Sequence, residues 1–320
     1  THLFSSAASD VYKRQIMIEK NETFGGTWPY KANFCESAGF KQHYVDEGPR
    51  DGEVIVCLHG EPTWGYLYRN FIPHLSKHYR VIVPDHMGFG KSETPQDKVY
   101  TLKTHVENLV ALVESLELKN ITFVCQDWGG PITGAYAIRN PDRVKRVALL
   151  NTLFGFGSTP ANSEPTEWFQ WIAKHHEAGT LEGILGELGS TVLSVMKIIG
   201  FENSSVINSD WIKAYSSPFP DRASCKGGIE FPLDIHLQRA FEYIIEGVET
   251  GNIDALKTKP AMLAVGLKDR AIRPENQIAD FRGLFPVAPI NTFEQAGHFC
   301  QEDIPEILVP LIHQFIQANP

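Results

Sequence analysis

Short, mostly apolar runs separated by longer stretches of helical period constrain this chain more than any other feature. VIVCL (54–58), VIV (81–83), ITFVC (121–125), VKRVALL (144–150) and the segments 261–266 and 289–293 read as strands buried on both faces. Strands of that kind, alternating with helices, form a mostly parallel sheet whose faces are covered by the crossover helices. Segments 66–75, from about 131 onward, and 305–316 read as helices. Segment 101–116 carries Leu102, Val106, Leu109, Val110 and Val113 at helical spacing, so one of its faces is apolar. Residues 44–46, with the Phe40 region, are expected to add an antiparallel edge hairpin.

The rhythm breaks between residues 153 and 223, a stretch rich in Trp, Phe, Glu and Ser without a strand-like run. It reads as a helical cap laid over the carboxyl edge of the sheet, where open α/β sheets bind ligands. The expected organisation is a core at 17–152, a cap at 153–224 and the rest of the core at 225–320. Residues 1–16 lack the apolar centre of a secretory signal and precede the first methionine, Met17. They are expected to be a non-functional tail resembling a translated sequencing artefact, with a short processed leader as the alternative.

Composition narrows the function classes. The 29 Lys and Arg against 38 Asp and Glu give a net charge of −9, which argues against a nucleic-acid partner that needs a basic face. No apolar run approaches the roughly 20 residues of a membrane helix, so no membrane partner is expected. The five cysteines (35, 57, 125, 225, 300) are scattered with no C-x-x-C pair, pointing to a reducing, cytoplasmic setting and to no structural metal. His175 and His176 lack the H-E-x-x-H spacing of a zinc site, and GFGKS (88–92) has Asp85 where a phosphate-binding loop needs its first Gly. Gly155 and Gly157 are followed by Pro160 where a dinucleotide fingerprint needs Gly. No cofactor is expected.

The strongest chemical signal is ITFVCQDWGGP (121–131). A strand runs into a small-x-acid-x-small-small turn and then a helix, the pattern of a nucleophile elbow in which one side chain is exposed on a strained corner. The elbow residue is Asp127 where esterases have Ser. A hydroxyl attacking a saturated carbon would leave an ether, which water does not readily cleave. A carboxylate leaves an ester, which an activated water can hydrolyse. Asp127 is already ionised at neutral pH and needs no base to attack; alone, an Asp here would also serve as a helix cap. Three further signals stand at the expected strand ends. VCLHGEPTW (56–64) offers the N–H of Glu61 as one oxyanion-hole donor, with the N–H of Trp128 as the other. His298, in FEQAGHFCQE (293–302), follows the last strand, where this architecture carries its base. Asp269, in LAVGLKDRAIRP (263–274), lies just past a strand and within reach of the His298 loop, where it would orient the imidazole. Singly, each reads equally well as a turn or a solvated side chain; the order Asp127, Asp269, His298 distinguishes them.

HGEPTW (59–64), PDHMGFGKS (84–92), QDWGG (126–130), YSSPFPD (215–221) and AGHF (296–299) together resemble the haloalkane dehalogenases of the α/β-hydrolase superfamily, over about residues 30–318. The resemblance implies the α/β-hydrolase fold, with an eight-stranded, mostly parallel sheet, helices on both faces and a helical cap insertion. It implies a triad of Asp127, His298 and Asp269, with Asn151 where another branch has Glu. The implied partners are a small apolar halogenated substrate, water and the halide ion, in a monomer or small homo-oligomer. The indole of Trp128 would hold the halide. Many relatives take the second donor from an Asn at the HG-x-P position. Glu61 stands there in this chain, and an ionised carboxylate cannot donate. The resemblance then implies a cap tryptophan, Trp168 or Trp171, which helical spacing puts on one face. The alternative reading is an epoxide hydrolase, with the same nucleophile and a cap tyrosine, Tyr215 or Tyr243, to protonate the opening oxygen. A fluoroacetate dehalogenase would need Arg in place of Trp128. A non-catalytic binding protein would not need the whole triad.

Overall fold

The computed structural model describes residues 18–158 and 164–320, so the expected tail at 1–16 lies outside the described residues. Eight strands form one sheet: β1 (Asn33–Cys35), β2 (Gln42–Glu47), β3 (Val54–Leu58), β4 (Arg80–Pro84), β5 (Ile121–Gln126), β6 (Val144–Leu150), β7 (Ala261–Gly266) and β8 (Ile290–Phe293). Their spatial order is β1-β2-β4-β3-β5-β6-β7-β8. β2 runs antiparallel to β4 and pairs antiparallel with β1 in an edge hairpin, while every other pairing is parallel. The apolar runs of β3, β5 and β7 are buried along their whole length, as strands covered on both faces must be.

The chain passes from β3 to β4 on one side and returns to β5 on the other. The carboxyl ends of β3 and β5 are therefore where the winding direction reverses and a crevice opens. Helices α1 (Leu102–Ser115) and α2 (Gly129–Arg139) pack on each other, and between β6 and β7 the described chain is helical: α3 (Glu167–Glu177), α4 (Leu188–Ile199), α5 (Ser209–Ser216), α6 (Lys226–His236) and α7 (Arg239–Thr250), with short turns between them. α6, just beyond residue 224, packs against α3, whereas α7 packs against α1 and α2. α8 (Pro274–Leu284) packs on β7, and α9 (Pro305–Ala318) ends the chain.

Two local expectations change. The helix expected over 66–75 is a 3₁₀ turn at Gly65–Tyr68 followed by a separate single turn at Ile72–Leu75. In a continuous helix the Pro73 ring would clash with the carbonyl of Arg69, so the chain breaks there. The helix after β5 starts at Gly129, two residues before Pro131. All five cysteines are free and buried. Among the described residues no helix is long and apolar enough to cross a membrane, and no group of three or more His, Cys, Asp or Glu could hold a metal ion.

Candidate active site

Asp127 occupies the corner between β5 and α2 with φ +49°, the left-handed region that a side chain enters only when its surroundings hold it there. What holds it is close packing. A Cβ on Gly130 would lie 2.1 Å from Thr152 Oγ1 and 2.5 Å from the Leu153 carbonyl, so the turn is pressed against the chain leaving β6. Gly60, at the end of β3, faces the other side: a Cβ there would sit 2.1 Å from Asp127 Oδ1. Glycine at these two positions lets backbone approach the carboxylate from neighbouring strands.

The Glu61 N–H donates to Asp127 Oδ1 at 2.8 Å, as expected of one oxyanion-hole donor. The Trp128 N–H, expected as the other, makes no hydrogen bond to the carboxylate among the described residues. Oδ2 lies 3.2 Å from His298 Nε2, and the Asp127 side chain is 14% exposed, so it faces the imidazole rather than bulk water. His298 is fully buried. Its Nδ1 lies 3.1 and 3.0 Å from the two carboxylate oxygens of Asp269. Strand ends β5, β7 and β8 thus bring the three residues expected from the sequence into one continuous contact.

Asp269 is itself fixed. Oδ1 accepts the N–H groups of Ala271 and Ile272, both at 2.9 Å; Oδ2 accepts the amides of Asn151 (2.9 Å) and Gln277 (2.8 Å). Asn151, with φ +44°, also accepts from the Gly266 N–H at 2.9 Å and so ties β6 to β7 at this level. Gln126, the residue before the nucleophile, donates to the His298 carbonyl at 3.1 Å. Burial works against a charged imidazole, but the adjacent Asp269 and Asp127 outweigh it and raise the His298 pKa to about 10.

Trp128 is buried and stacks face to face on Phe231 of α6, ring centres 4.4 Å apart and 13° between planes. Trp168 and Trp171 stack on each other at 5.4 Å and 9° on α3, the helix that packs against α6. Neither Trp168 nor Trp171 donates an indole hydrogen bond among the described residues. Glu61 is buried and has no ion-pair partner among the described residues. Its Oε1 is sealed from solvent without a hydrogen bond. Burial first and the Asp127 charge second push its carboxyl well above the ordinary range, with His298 offsetting part of the rise.

The two tyrosines that the epoxide reading needs are engaged elsewhere. Tyr215 is fully buried and donates its hydroxyl to Glu302. Tyr243 lies under the guanidinium of Arg139, 3.8 Å from the ring centre. Gln277 and Phe231 carried no signal in the sequence. Gln277 sits one turn into a polar helix after a loop of unknown length, and Phe231 is one of 19 phenylalanines.

The comparisons agree with this geometry. The α/β hydrolase fold model matches residues 53–305. A haloalkane dehalogenase of Psychrobacter cryohalolentis is 34% identical over 89% of this chain and 90% of its own length. A cis-3-alkyl-4-alkyloxetan-2-one decarboxylase of Xanthomonas campestris is 33% identical over 88% of this chain and 94% of its own. Among solved structures, the tetrameric haloalkane dehalogenase of Paraglaciecola agarilytica shares 31% identity with a TM-score of 0.74, covering 93% of this chain and 96% of that one. With its elbow carboxylate, buried histidine and orienting aspartate on these strand ends, the chain belongs to the haloalkane dehalogenase family of the α/β-hydrolase superfamily.

Proposed function

We propose that the protein hydrolyses haloalkanes to alcohol and halide through a covalent ester on Asp127. The observation that carries the reading is the unbroken Asp127–His298–Asp269 contact with a carboxylate, not a hydroxyl, at the elbow. A small apolar haloalkane enters beneath the cap at 153–224. One oxygen of Asp127 bonds to the carbon as the carbon–halogen bond breaks, and the bonding pair leaves with the halide. The departing anion accepts hydrogen bonds from the Trp128 indole and a second donor, which the resemblance assigns to Trp168 or Trp171.

Esterification then changes His298. The charge on Asp127 is one reason its pKa is raised, so an uncharged ester lowers it and frees Nε2 as a base. His298, held by Asp269, takes a proton from water, and the hydroxide attacks the carbonyl carbon of the ester. The Glu61 N–H, joined by that of Trp128, stabilises the oxyanion. Collapse expels the alcohol, and the proton on His298 is returned.

Replacing His298 with Gln tests this directly. Incubated with 1-bromobutane, the variant should accumulate one alkyl group on Asp127, visible by mass spectrometry of the peptide. Wild-type turnover by that variant would overturn the scheme. A second reading, decarboxylation of a cis-3-alkyl-4-alkyloxetan-2-one, is favoured by the similarity to decarboxylases of Xanthomonas campestris and Shewanella oneidensis. Epoxide hydrolysis is disfavoured because the Tyr215 hydroxyl donates to Glu302 and the Tyr243 ring lies against Arg139. Halide release from bromoalkanes, carbon dioxide release from an oxetan-2-one and diol formation from epoxides, measured in parallel, separate the three.

A further inference from the structure

β6 lies between β5, which ends at the nucleophile, and β7, which leads to the orienting acid, so the chain leaving β6 passes between Asp127 and Asp269. The first two residues of that exit, Asn151 and Thr152, are fully buried. They face opposite ways. The Asn151 amide donates to Asp269 Oδ2 at 2.9 Å. The Thr152 hydroxyl donates to the Asp127 backbone carbonyl at 2.5 Å, while its other acceptor, the Leu153 carbonyl, is 3.4 Å away. A hydroxyl has one proton to give, and the shorter, better bond takes it.

Asp127 needs such a hold. Its φ of +49° is one that a residue with a Cβ occupies only at a cost. Within the turn itself, the Asp127 carbonyl accepts one further bond, from the Gly130 N–H at 2.9 Å. At the far end of the residue, Oδ1 is held by the Glu61 N–H and Oδ2 faces His298. Thr152 thus pins the near end from a neighbouring strand. Displacement at a saturated carbon is in line, and a reacting oxygen misplaced by about 1 Å loses roughly a hundredfold in rate.

We propose that Thr152 is a positioning residue for the nucleophile: its hydroxyl, acting through the Asp127 carbonyl, aims the carboxylate along the line of attack. This rests on the dehalogenase reading of the same site. Thr152 transfers no proton. The Asp127–carbon bond forms as the carbon–halogen bond breaks, and the Thr152 hydrogen stays on its oxygen throughout.

Two variants separate aiming from mere packing behind the elbow. Thr152→Val keeps the shape and loses the donor, and the Asp127 carbonyl still has the Gly130 N–H. Thr152→Ser keeps the donor but deletes a buried methyl, leaving a small cavity. Rapid-quench single turnovers with saturating 1-bromobutane, followed by mass spectrometry of the Asp127 peptide, read the rate of ester formation. Thr152→Val should slow it about tenfold, as expected for one lost hydrogen bond, with KM within about threefold of wild type. Thr152→Ser should stay within about threefold of the wild-type rate while melting below Thr152→Val. Wild-type ester formation in Thr152→Val overturns the proposal, as does equal slowing in both variants. Rates that follow the melting temperatures also overturn it, because the residue would then only fill space. Far-ultraviolet circular dichroism checks folding. If Thr152→Val is unfolded, Thr152→Ala takes its place, and Thr152→Ser should then form the ester about tenfold faster, equal rates again overturning the proposal. Failure of the dehalogenase reading is a different result: wild type itself forming no ester and releasing no halide from 1-bromobutane.

Discussion

At the residue scale Glu61 and His298 are opposite cases of one electrostatic rule, and each predicts a pH dependence. Glu61 holds its proton above the usual carboxyl range in the folded protein. The unfolded chain releases that proton near pH 4.5, so folding loses stability as pH rises above that value. Glu61→Gln removes the loss. Urea unfolding should find the variant more stable than wild type at pH 8, with the advantage gone at pH 4. His298 is raised to about 10 from 6.5, so the stability it contributes is complete below about pH 6.5 and fades as pH climbs toward 10. The stability gap between wild type and His298→Gln should therefore shrink between pH 6.5 and 10; a gap that is constant or grows would remove the carboxylates as its cause. Asp127, Asp269 and His298 were legible in the sequence because each stands just after an apolar run, and strand ends are where this fold collects function. The state of Glu61 was not legible, because protonation depends on burial and on a neighbour 66 residues away.

At the element scale the elbow is built by the fit of a turn between strands rather than by the turn alone. Gly130 lies where α2, the end of β5 and the chain after β6 meet, with 2.1 Å separating a virtual Cβ from Thr152 Oγ1. Ala at that position must push back both the Thr152 side chain and the Leu153 carbonyl, an overpacking strain of about 1–3 kcal/mol. Gly130→Ala should lower the Tm by several degrees and reduce kcat more than it raises KM, since it displaces the nucleophile rather than the substrate. Activity equal to wild type at a lowered Tm would show that the corner tolerates the shift. The central strands could be read because burial on both faces leaves mostly apolar residues, Thr122, Gln126 and Arg146 aside. The break of the 66–75 helix was written in Pro73, whose clash acts four residues upstream. The pairing of α6 with α3 could not be read, because helix-on-helix contacts in the cap come from side-chain shapes with no period in the chain.

At the scale of the whole molecule, the helices between β6 and β7 are fastened to the segment that carries the base. Glu302, four residues after His298 and fully buried, forms an ion pair with Arg69 from the chain after β3 and accepts from Tyr215 and from the Trp211 indole at 3.1 Å, both on α5. Its neighbour Asp303 accepts the N–H of Gly297 at 2.8 Å, and those of Glu202 and Asn203, beyond α4, at 2.9 and 2.8 Å. Gly200, just after α4, abuts the histidine backbone, since a Cβ there would lie 2.7 Å from the His298 nitrogen. The covering helices and the catalytic loop are thus one packed body, and a fault in the fastening should reach both stability and chemistry. Glu302→Gln leaves the Arg69 guanidinium, 9% exposed, without a countercharge. Stranding a buried charge costs about 3–5 kcal/mol. Tyr215→Phe removes one hydrogen bond and leaves the ion pair, at about 1–2 kcal/mol. Denaturant unfolding should rank them in that order. If the fastening also positions His298, Glu302→Gln should slow hydrolysis of the Asp127 ester in single-turnover experiments below the melting range, leaving halide release in the first step closer to wild type. Equal slowing of both steps would mean that Glu302 supports the fold without setting the imidazole.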